Sequence, residues 1–247
     1  MRLHVTGATG YLGSELLRLR PDASTERVEV RDAAAVRALL ERVRPEVVIH
    51  TAYRQGGAGA YEINVDGSEN VAGAAATVGA RLVHLSTDVV FDGRKGAPYV
   101  EEDPVSPVFE YGRAKADAEQ RVADAHPGAL LVRTSLLYGG VRPSRHELSA
   151  RDPAFTFFTD ELRSPVQVGE LAAALLELAE LEVSGLLHVA GPDTVSRAEL
   201  AELIARRPVP SAPAPDGRPL NCSLDSSRAR ALLRTRLRGV REVLARG

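Results

Sequence analysis

The glycine triplet near the N-terminus is the feature that most limits what this chain can fold into. Gly7, Gly10 and Gly13 follow residues 2–6, which predict a short strand, and precede a predicted helix from residue 14 to about residue 20. Glycines between a strand and a helix allow a tight turn, close helix packing and close approach of the backbone to a pyrophosphate. A P-loop is excluded because no Gly-Lys-Ser/Thr follows. The pattern therefore indicates a dinucleotide-binding βα unit.

Strand and helix patterns alternate after this turn. Alternation of this kind predicts an α/β fold with a parallel sheet covered on both faces. The predicted strands are residues 27–30, 46–50, 81–86, 129–134 and 186–189, and the predicted helices are residues 33–43, 64–78, 111–125, 169–181 and 196–206. Residues 141–159 show no clear period and predict a loop or lid, and the proline-rich residues 208–219 predict an extended connector.

Length and composition exclude several classes of protein. A chain of 247 residues can form one large domain, or one domain with a small appendage. Cys222 is the only cysteine, so no intrachain disulfide can form, and no apolar run is long enough for a signal peptide or a membrane span. We therefore expect a cytoplasmic protein with no membrane partner. The arginine-rich C-terminal part lacks interleaved aromatic residues, so no nucleic-acid partner is expected. No ligand spacing indicates a metal site.

A tyrosine and a lysine four residues apart form the most specific chemical motif. Tyr111 and Lys115 begin a predicted helix and leave it on the same face. A nearby ammonium lowers the pKa of a phenol, which is ordinarily about 10, and so makes it a better acid. Of the 31 basic residues only Lys95 and Lys115 are lysines. A solvated helix face remains the alternative for an isolated Tyr-x-x-x-Lys.

Ligands of parallel sheets bind beyond the carboxyl ends of the strands. The residues that directly follow the predicted strands are therefore candidates for the site. They are residues 7–13, Arg31 and Asp32, residues 51–53, and residues 86–88. Asp88 either supports such a site or caps the turn that follows it.

These motifs, in this order, resemble the extended short-chain dehydrogenase/reductases, and among them most closely the dTDP-4-dehydrorhamnose reductase group. The matching segments are the glycine triplet, Leu85-Ser86-Thr87-Asp88-Val89-Val90-Phe91-Asp92-Gly93, Tyr111-Gly112-Arg113-Ala114-Lys115, Arg133-Thr134-Ser135 with Tyr138-Gly139, and Arg218-Pro219 with Asn221 and Leu224-Asp225. The resemblance implies a Rossmann-type doubly wound parallel sheet with a small C-terminal substrate-binding subdomain. Residues 1–140 would bind the cofactor, and residues 141–247, interleaved with the sheet, would bind the substrate.

The resemblance also implies an activity, the reduction of a keto group on a nucleotide-linked sugar by a nicotinamide cofactor. Tyr111 would be the general acid, Lys115 would lower its pKa and hold the nicotinamide ribose, and Thr87 would hydrogen-bond the substrate oxygen. The implied cofactor-binding residues are Gly7, Thr9, Gly10, Tyr11, Leu12, Gly13, Arg31, Asp32, Thr51, Ala52, Tyr53, Ser86, Tyr111 and Lys115. The implied substrate-binding residues are Thr87, Asp88, Val89, Leu136 and Arg218.

The chain departs from the family pattern beside the expected sugar. Val89 stands where an aromatic residue is common, and Leu136 stands where a tryptophan is common. The segment between Tyr138 and Pro165 is also shorter than usual, which predicts a reduced lid.

Two questions stay open on the sequence alone. Glu29 lies near the spacing at which an acidic residue meets the adenosine ribose, which favours NADH. Arg18, Arg20 and Arg31 could instead accept a 2′-phosphate, which favours NADPH. The cofactor is therefore NADPH or NADH, with a lean toward NADPH. A non-catalytic cofactor-binding regulatory subunit and a nucleotide-sugar epimerase or dehydratase remain alternatives to the reductase. A homodimer is compatible with the sequence.

Overall fold

The computed structural model describes residues 1–245 and contains a five-stranded parallel sheet with helices on both faces. The predicted α/β fold with a Rossmann-type doubly wound parallel sheet is thereby confirmed. The strands are β1 Leu3–Thr6, β2 Val47–His50, β3 Arg81–Thr87, β4 Leu130–Thr134, β5 Leu137–Tyr138, β6 Phe157–Phe158, β7 Leu162–Arg163, β8 Val166–Gln167, β9 Gly185–His188, β10 Val195–Ser196 and β11 Ser211–Ala212. The helices are α1 Tyr11–Leu19, α2 Ala33–Val43, α3 Ala60–Asn64, α4 Asp66–Thr77, α5 Glu110–Ala125, α6 Arg145–Arg151, α7 Val168–Glu180, α8 Arg197–Ala205, α9 Ser227–Leu232 and α10 Val240–Ala245. Among the described residues, no helix is both long and apolar enough to cross a membrane.

After α1 the chain runs to one side of β1, and after α2 it runs to the other side, so its direction across the sheet reverses at β1. The order of the main sheet is β1-β2-β3-β4-β9, and all neighbours are parallel. After α1, the chain makes one isolated bridge between Ser24 and His4, and it then crosses through α2 to pair β2 along β1. Such a reversal opens a crevice at the carboxyl end of the strand, where ligands of doubly wound sheets bind. The topology therefore places a site beyond Thr6.

Each face of the sheet has its own apolar core. On one face Val5, Ile49 and Val83 pack with residues of α1 and α7. On the other face Val48 and Leu82 pack with residues of α2, α4 and α5. Because both faces are covered, the strands read as continuous apolar runs, which is the pattern of a parallel sheet.

A buried polar layer lies on the α4 and α5 face, at the carboxyl half of the strands. Its histidines, His50, His84 and His188, are at most 1% exposed, and each has a hydrogen-bond partner. The strongest contact in the layer joins Arg133 of β4 to Glu119 of α5 through three nitrogen-to-oxygen distances of 2.7 to 3.2 Å. The Ser86 hydroxyl of β3 donates to the same carboxylate at 2.5 Å. One buried ion pair, with the Ser86 hydroxyl, therefore connects two strands and α5, the helix that carries Tyr111.

The predicted strand at residues 27–30 is wrong. Glu26, Arg27 and Glu29 are exposed, and only Val28 and Val30 pack against the core. The segment therefore has too little apolar surface for a full ladder, and the backbone of Ser24 alone pairs with β1, through its N–H to Leu3 O at 2.8 Å and its carbonyl to the Val5 N–H at 2.9 Å.

Two other predictions need correction. The predicted helix at residues 64–78 is confirmed as α4 over Asp66–Thr77, but its predicted first residue, Asn64, ends the separate short helix α3. The predicted loop at residues 141–159 contains α6, which begins with a capping box: Ser144 accepts from the Glu147 N–H, and the Glu147 carboxylate accepts from the Ser144 N–H.

The buried Arg133–Glu119 pair predicts a specific stability effect. Because Glu119→Ala leaves the Arg133 guanidinium buried without its counter-charge, we expect the free energy of unfolding to fall by about 3–5 kcal/mol. Asp124→Ala removes an exposed carboxylate from the same helix and is expected to change it by less than about 0.5 kcal/mol. Urea denaturation measures both. Equal effects of the two substitutions would contradict the importance of the pair.

Candidate active site

A cavity of about 620 Å³ opens at the carboxyl ends of the strands. It brings together most of the site residues that the sequence predicted. Those that line it are Thr9, Gly10, Tyr11, Leu12, Gly13, Thr51, Ala52, Tyr53, Ser86, Thr87, Asp88, Val89, Tyr111, Lys115, Leu136 and Arg218.

The glycine turn closes the cavity at one end, and two of its glycines are required by close backbone packing. Gly7 has a φ of +69°, and a Cβ there would lie 2.6 Å from the Ala52 nitrogen. A Cβ on Gly13 would lie 2.3 Å from the Gly7 carbonyl oxygen. These contacts draw the first turn of α1 against the ends of β1 and β2.

The first turn of α1 suits an anion. Among the described residues, no side chain caps this helix, and its first turn contains no acidic residue. Its first N–H groups therefore have no intrahelical partner and carry the positive end of the helix dipole. The glycine turn thus has the space and the donors that the diphosphate of a nicotinamide cofactor needs.

Lys115 is buried beneath the cavity. Its ammonium donates to the Leu85 carbonyl at 2.6 Å and lies 3.3 Å from His84 Nε2. Burial lowers its pKa to about 8, and the charge of Glu119 one turn later opposes this shift. A positive charge is therefore held by β3 at the start of α5.

Tyr111 differs from the sequence prediction in its acidity. Burial raises the pKa of its phenol above the ordinary value, and the charges of Tyr53 and Asp88 raise it further. Within residues 1–245, no hydrogen bond joins Tyr111 to Lys115, so the predicted lowering of this pKa is not present. Loss of hydration outweighs the ammonium, which is turned toward Leu85. Tyr111 is consequently protonated at neutral pH, as a proton donor must be.

Thr87 and Asp88 form a short polar chain at the end of β3. Thr87 Oγ1 donates to Asp88 Oδ1 at 3.1 Å, and Ser135 Oγ donates to Asp88 Oδ2 at 2.6 Å. Burial raises the pKa of Asp88, whereas Arg163, at 3.7 Å, opposes this shift. Asp88 therefore supports the site through Thr87 and Ser135, and Thr87 itself caps the turn that follows.

Arg31 and Asp32 do not line the cavity. Arg31 forms two hydrogen bonds with Glu29, at 2.9 and 3.0 Å, and Asp32 caps α2 by accepting from the Ala35 N–H at 3.0 Å. Their predicted role in cofactor binding stays a prediction.

The other end of the cavity is strongly basic. Of its arginines, only Arg218 was predicted from the sequence. Arg163, Arg197 and Arg218 surround the fully buried carboxylate of Glu161. Burial lowers the pKa of Arg197 to about 10, and the neighbouring arginines contribute to that shift. These cations come from distant segments, and no short motif in the sequence reveals them. Glu161 and Asp88, which lies 3.7 Å from Arg163, are two carboxylates against three guanidinium groups, so this end of the cavity attracts anions.

Residues 142–146 also line the cavity and were missed as part of the predicted loop. The capping box formed by Ser144 and Glu147 is the sequence signal that locates this segment. It places Arg142 near the glycine turn and Arg145 across the cavity mouth, where Arg145 hydrogen-bonds the Gln55 side chain.

The chain is similar to proteins of one known family along most of its length. A family model described as the RmlD substrate binding domain matches residues 1–246. A dTDP-4-dehydrorhamnose reductase from Mycobacterium tuberculosis is 36% identical, over 79% of this chain and 72% of that protein. The beta subunit of methionine adenosyltransferase 2 from Rattus norvegicus is 30% identical, over 94% of this chain and 82% of that protein.

A solved structure is similar along almost the whole chain. The crystal structure of dTDP-4-dehydrorhamnose reductase from Bacillus anthracis in complex with NADP has a TM-score of 0.86 and 27% sequence identity. The match covers 99% of this chain and 97% of that one.

The chain has only two lysines, which makes the pKa of Lys115 directly measurable. In protein labelled with ¹³C-lysine, we expect the Cε resonance that disappears in Lys115→Met to titrate with a midpoint near pH 8, because burial disfavours the charged amine. Lys95→Met should remove the other resonance and leave this titration in place. A midpoint at or above the ordinary 10.5 would contradict the buried position.

The same shift sets a pH dependence of stability. Between about pH 8 and pH 10.5 the unfolded chain keeps the Lys115 proton and the folded chain does not, so stability from this residue rises with pH. The difference in free energy of unfolding between wild type and Lys115→Met should therefore move in favour of wild type across this range. A constant difference would contradict the shift.

Proposed function

The chain belongs to the RmlD substrate-binding domain family, and from this membership we propose that it is an NAD(P)H-dependent reductase of a nucleotide-activated 4-keto sugar. In this proposal it works as a short-chain dehydrogenase/reductase. One observation carries the proposal: a single cavity holds the glycine turn together with Thr87, Tyr111 and Lys115. The relatives named as dTDP-4-dehydrorhamnose reductases support the same substrate class.

Tyr111 provides the proton in this reaction. When bound, the reduced nicotinamide supplies the hydride. Burial keeps the Tyr111 phenol protonated at neutral pH, so the proton is available for the carbonyl oxygen of the substrate. Lys115, one helical turn later, places a positive charge where it stabilises the phenolate that remains.

Thr87 orients the substrate carbonyl. Its hydroxyl lies at the cavity wall, and Asp88 and Ser135 hold the turn that presents it. In the proposed complex this hydroxyl turns from Asp88 to the substrate oxygen, where negative charge develops. The hydrogen bond of 2.6 Å from Ser135 to Asp88 keeps the carboxylate from following it.

The basic end of the cavity is suited to the nucleotide diphosphate of the substrate. Arg197 and Arg218 line this end, and both are held by Glu161. Val89 and Leu136 line the cavity wall and present aliphatic side chains to the sugar. We place cofactor binding in residues 1–140 and substrate binding in residues 141–247, of which the last two lie outside the described residues. NADPH is the favoured cofactor, with NADH as the alternative.

A second candidate is a regulatory subunit that binds the cofactor without turnover. The similarity to the beta subunit of methionine adenosyltransferase 2 extends over 94% of this chain and favours this candidate. The aliphatic residues Val89 and Leu136 are compatible with it. The presence of Thr87, Tyr111 and Lys115 at one cavity favours the reductase.

Tyr111→Phe tests the reductase directly. It removes the proton donor and keeps the ring, so NADPH oxidation with a dTDP-4-keto-6-deoxy sugar should fall by about 10²–10⁴-fold, the usual contribution of general acid catalysis. NADPH binding, measured by its fluorescence, should remain. Tyr61→Phe is the matched control. It removes a phenol from α3 that hydrogen-bonds Asp117, a residue of the helix that carries Tyr111, at 3.0 Å. Turnover by Tyr111→Phe at the rate of the control would overturn the assignment.

A further inference from the structure

The segment from Gly139 to Glu147 is fixed against the first turn of α1. The Tyr11 hydroxyl accepts from the Gly140 N–H at 2.8 Å and donates to the Glu147 carboxylate at 3.1 Å. The buried Glu15 carboxylate accepts from the Val141 N–H at 3.1 Å. Three hydrogen bonds thus hold the backbone on both sides of Arg142.

Arg142 is exposed, and its guanidinium lies over the glycine turn. Its Nη2 is 3.3 Å from the Thr9 carbonyl, 3.4 Å from the Gly10 carbonyl and 3.2 Å from Ser14 Oγ. All three distances exceed the usual value of about 2.9–3.0 Å, and all three acceptors are neutral. A phosphate oxygen is a better partner for this guanidinium, because charge-assisted hydrogen bonds are shorter and about twice as strong.

The glycine turn has no cation of its own. Residues 7–13 contain no basic residue, and the partial charge at the start of α1 cannot balance two negative charges. Among the described residues, the other cations of the cavity are directed elsewhere: Lys115 to Leu85, Arg145 to Gln55, and Arg163, Arg197 and Arg218 to Glu161. Arg142 is the cavity arginine that hydrogen-bonds the turn.

Within residues 1–245, the Glu15 carboxylate forms no ion pair with Arg142. Glu15 lies close enough that the charge of Arg142 contributes to lowering its pKa. Its ion pair, however, is with Arg18, at 2.7 Å. The Arg142 charge is therefore available to an incoming anion.

We propose that Arg142 binds the diphosphate of the nicotinamide cofactor and supplies the cation that the glycine motif lacks. The inference rests on the proposed function and extends it, because it assigns a cofactor ligand to the part of the chain that was expected to serve the substrate. Tyr11, a residue of the glycine motif itself, positions this ligand through its contacts with Gly140 and Glu147.

Calorimetric titration of the full-length protein with NADPH, and with ADP as a probe that carries the adenosine diphosphate without the nicotinamide riboside, tests the proposal. In Arg142→Gln we expect both dissociation constants to rise about tenfold, the size of one charge-assisted hydrogen bond. Added salt should weaken NADPH binding less steeply in this variant than in wild type, because one charge interaction is gone. Arg142→Lys should restore part of the affinity.

Arg151→Gln is the matched control. It removes the same charge from an exposed position at the end of α6, outside the cavity lining, and should leave both constants within twofold of wild type. Thermal unfolding should show each variant folded, since Arg142 and Arg151 are exposed. If wild type binds NADPH and ADP and Arg142→Gln binds them equally well, this inference is overturned and the proposed function stands. If wild type binds neither NADPH nor NADH, both fall.

Discussion

The buried ion pair between Arg133 and Glu119 determines how the parts of the site lie relative to one another. Taking two charges out of water is costly, and the cost is recovered only when the partners meet in good geometry. Here the guanidinium meets the carboxylate through two nitrogens and also stacks on the Phe91 ring, with 5.0 Å between the guanidinium carbon and the ring centroid. Any slip of β4 against α5 would leave both charges buried and unpaired.

The side chains of the candidate site lie only a few residues along the chain from the residues that this pair fixes. Lys115 lies one helical turn before Glu119, and Ser135 lies two residues after Arg133. Ser86, which donates to Glu119, directly precedes Thr87. The ion pair thus fixes α5 and the ends of β3 and β4 together, and the cavity lining includes neither of its two residues.

The sequence predicted those parts of the fold that depend on local signals. Helix α2 begins and ends where it was predicted, because Asp32 caps it and its apolar residues form one stripe. The strand predicted at residues 27–30 did not form: its valines alternate with exposed charges, and the one bridge to β1 lies at Ser24, before this segment.

The candidate site was predictable where residues follow a strand or stand one turn apart, as with the glycine turn and the Tyr111 and Lys115 pair. Arg163 and Arg197 could not be found in this way, because the antiparallel pairing of β7 with β10 brings them together from distant positions. The acidity of Tyr111 was also beyond the sequence, since it depends on burial and on the direction of the Lys115 side chain.

We propose that this cavity holds a nicotinamide cofactor that transfers hydride to a keto carbon of a nucleotide-linked sugar. The most direct test is to supply NADPH or NADH deuterated at the transferable position of the nicotinamide, together with a dTDP-4-keto-6-deoxy sugar, and to analyse the product by mass spectrometry and NMR. We expect one deuterium on the former keto carbon, with one cofactor oxidised for each sugar reduced. A sugar that is epimerised or dehydrated without net cofactor oxidation, or cofactor that binds and transfers no deuterium, would contradict it.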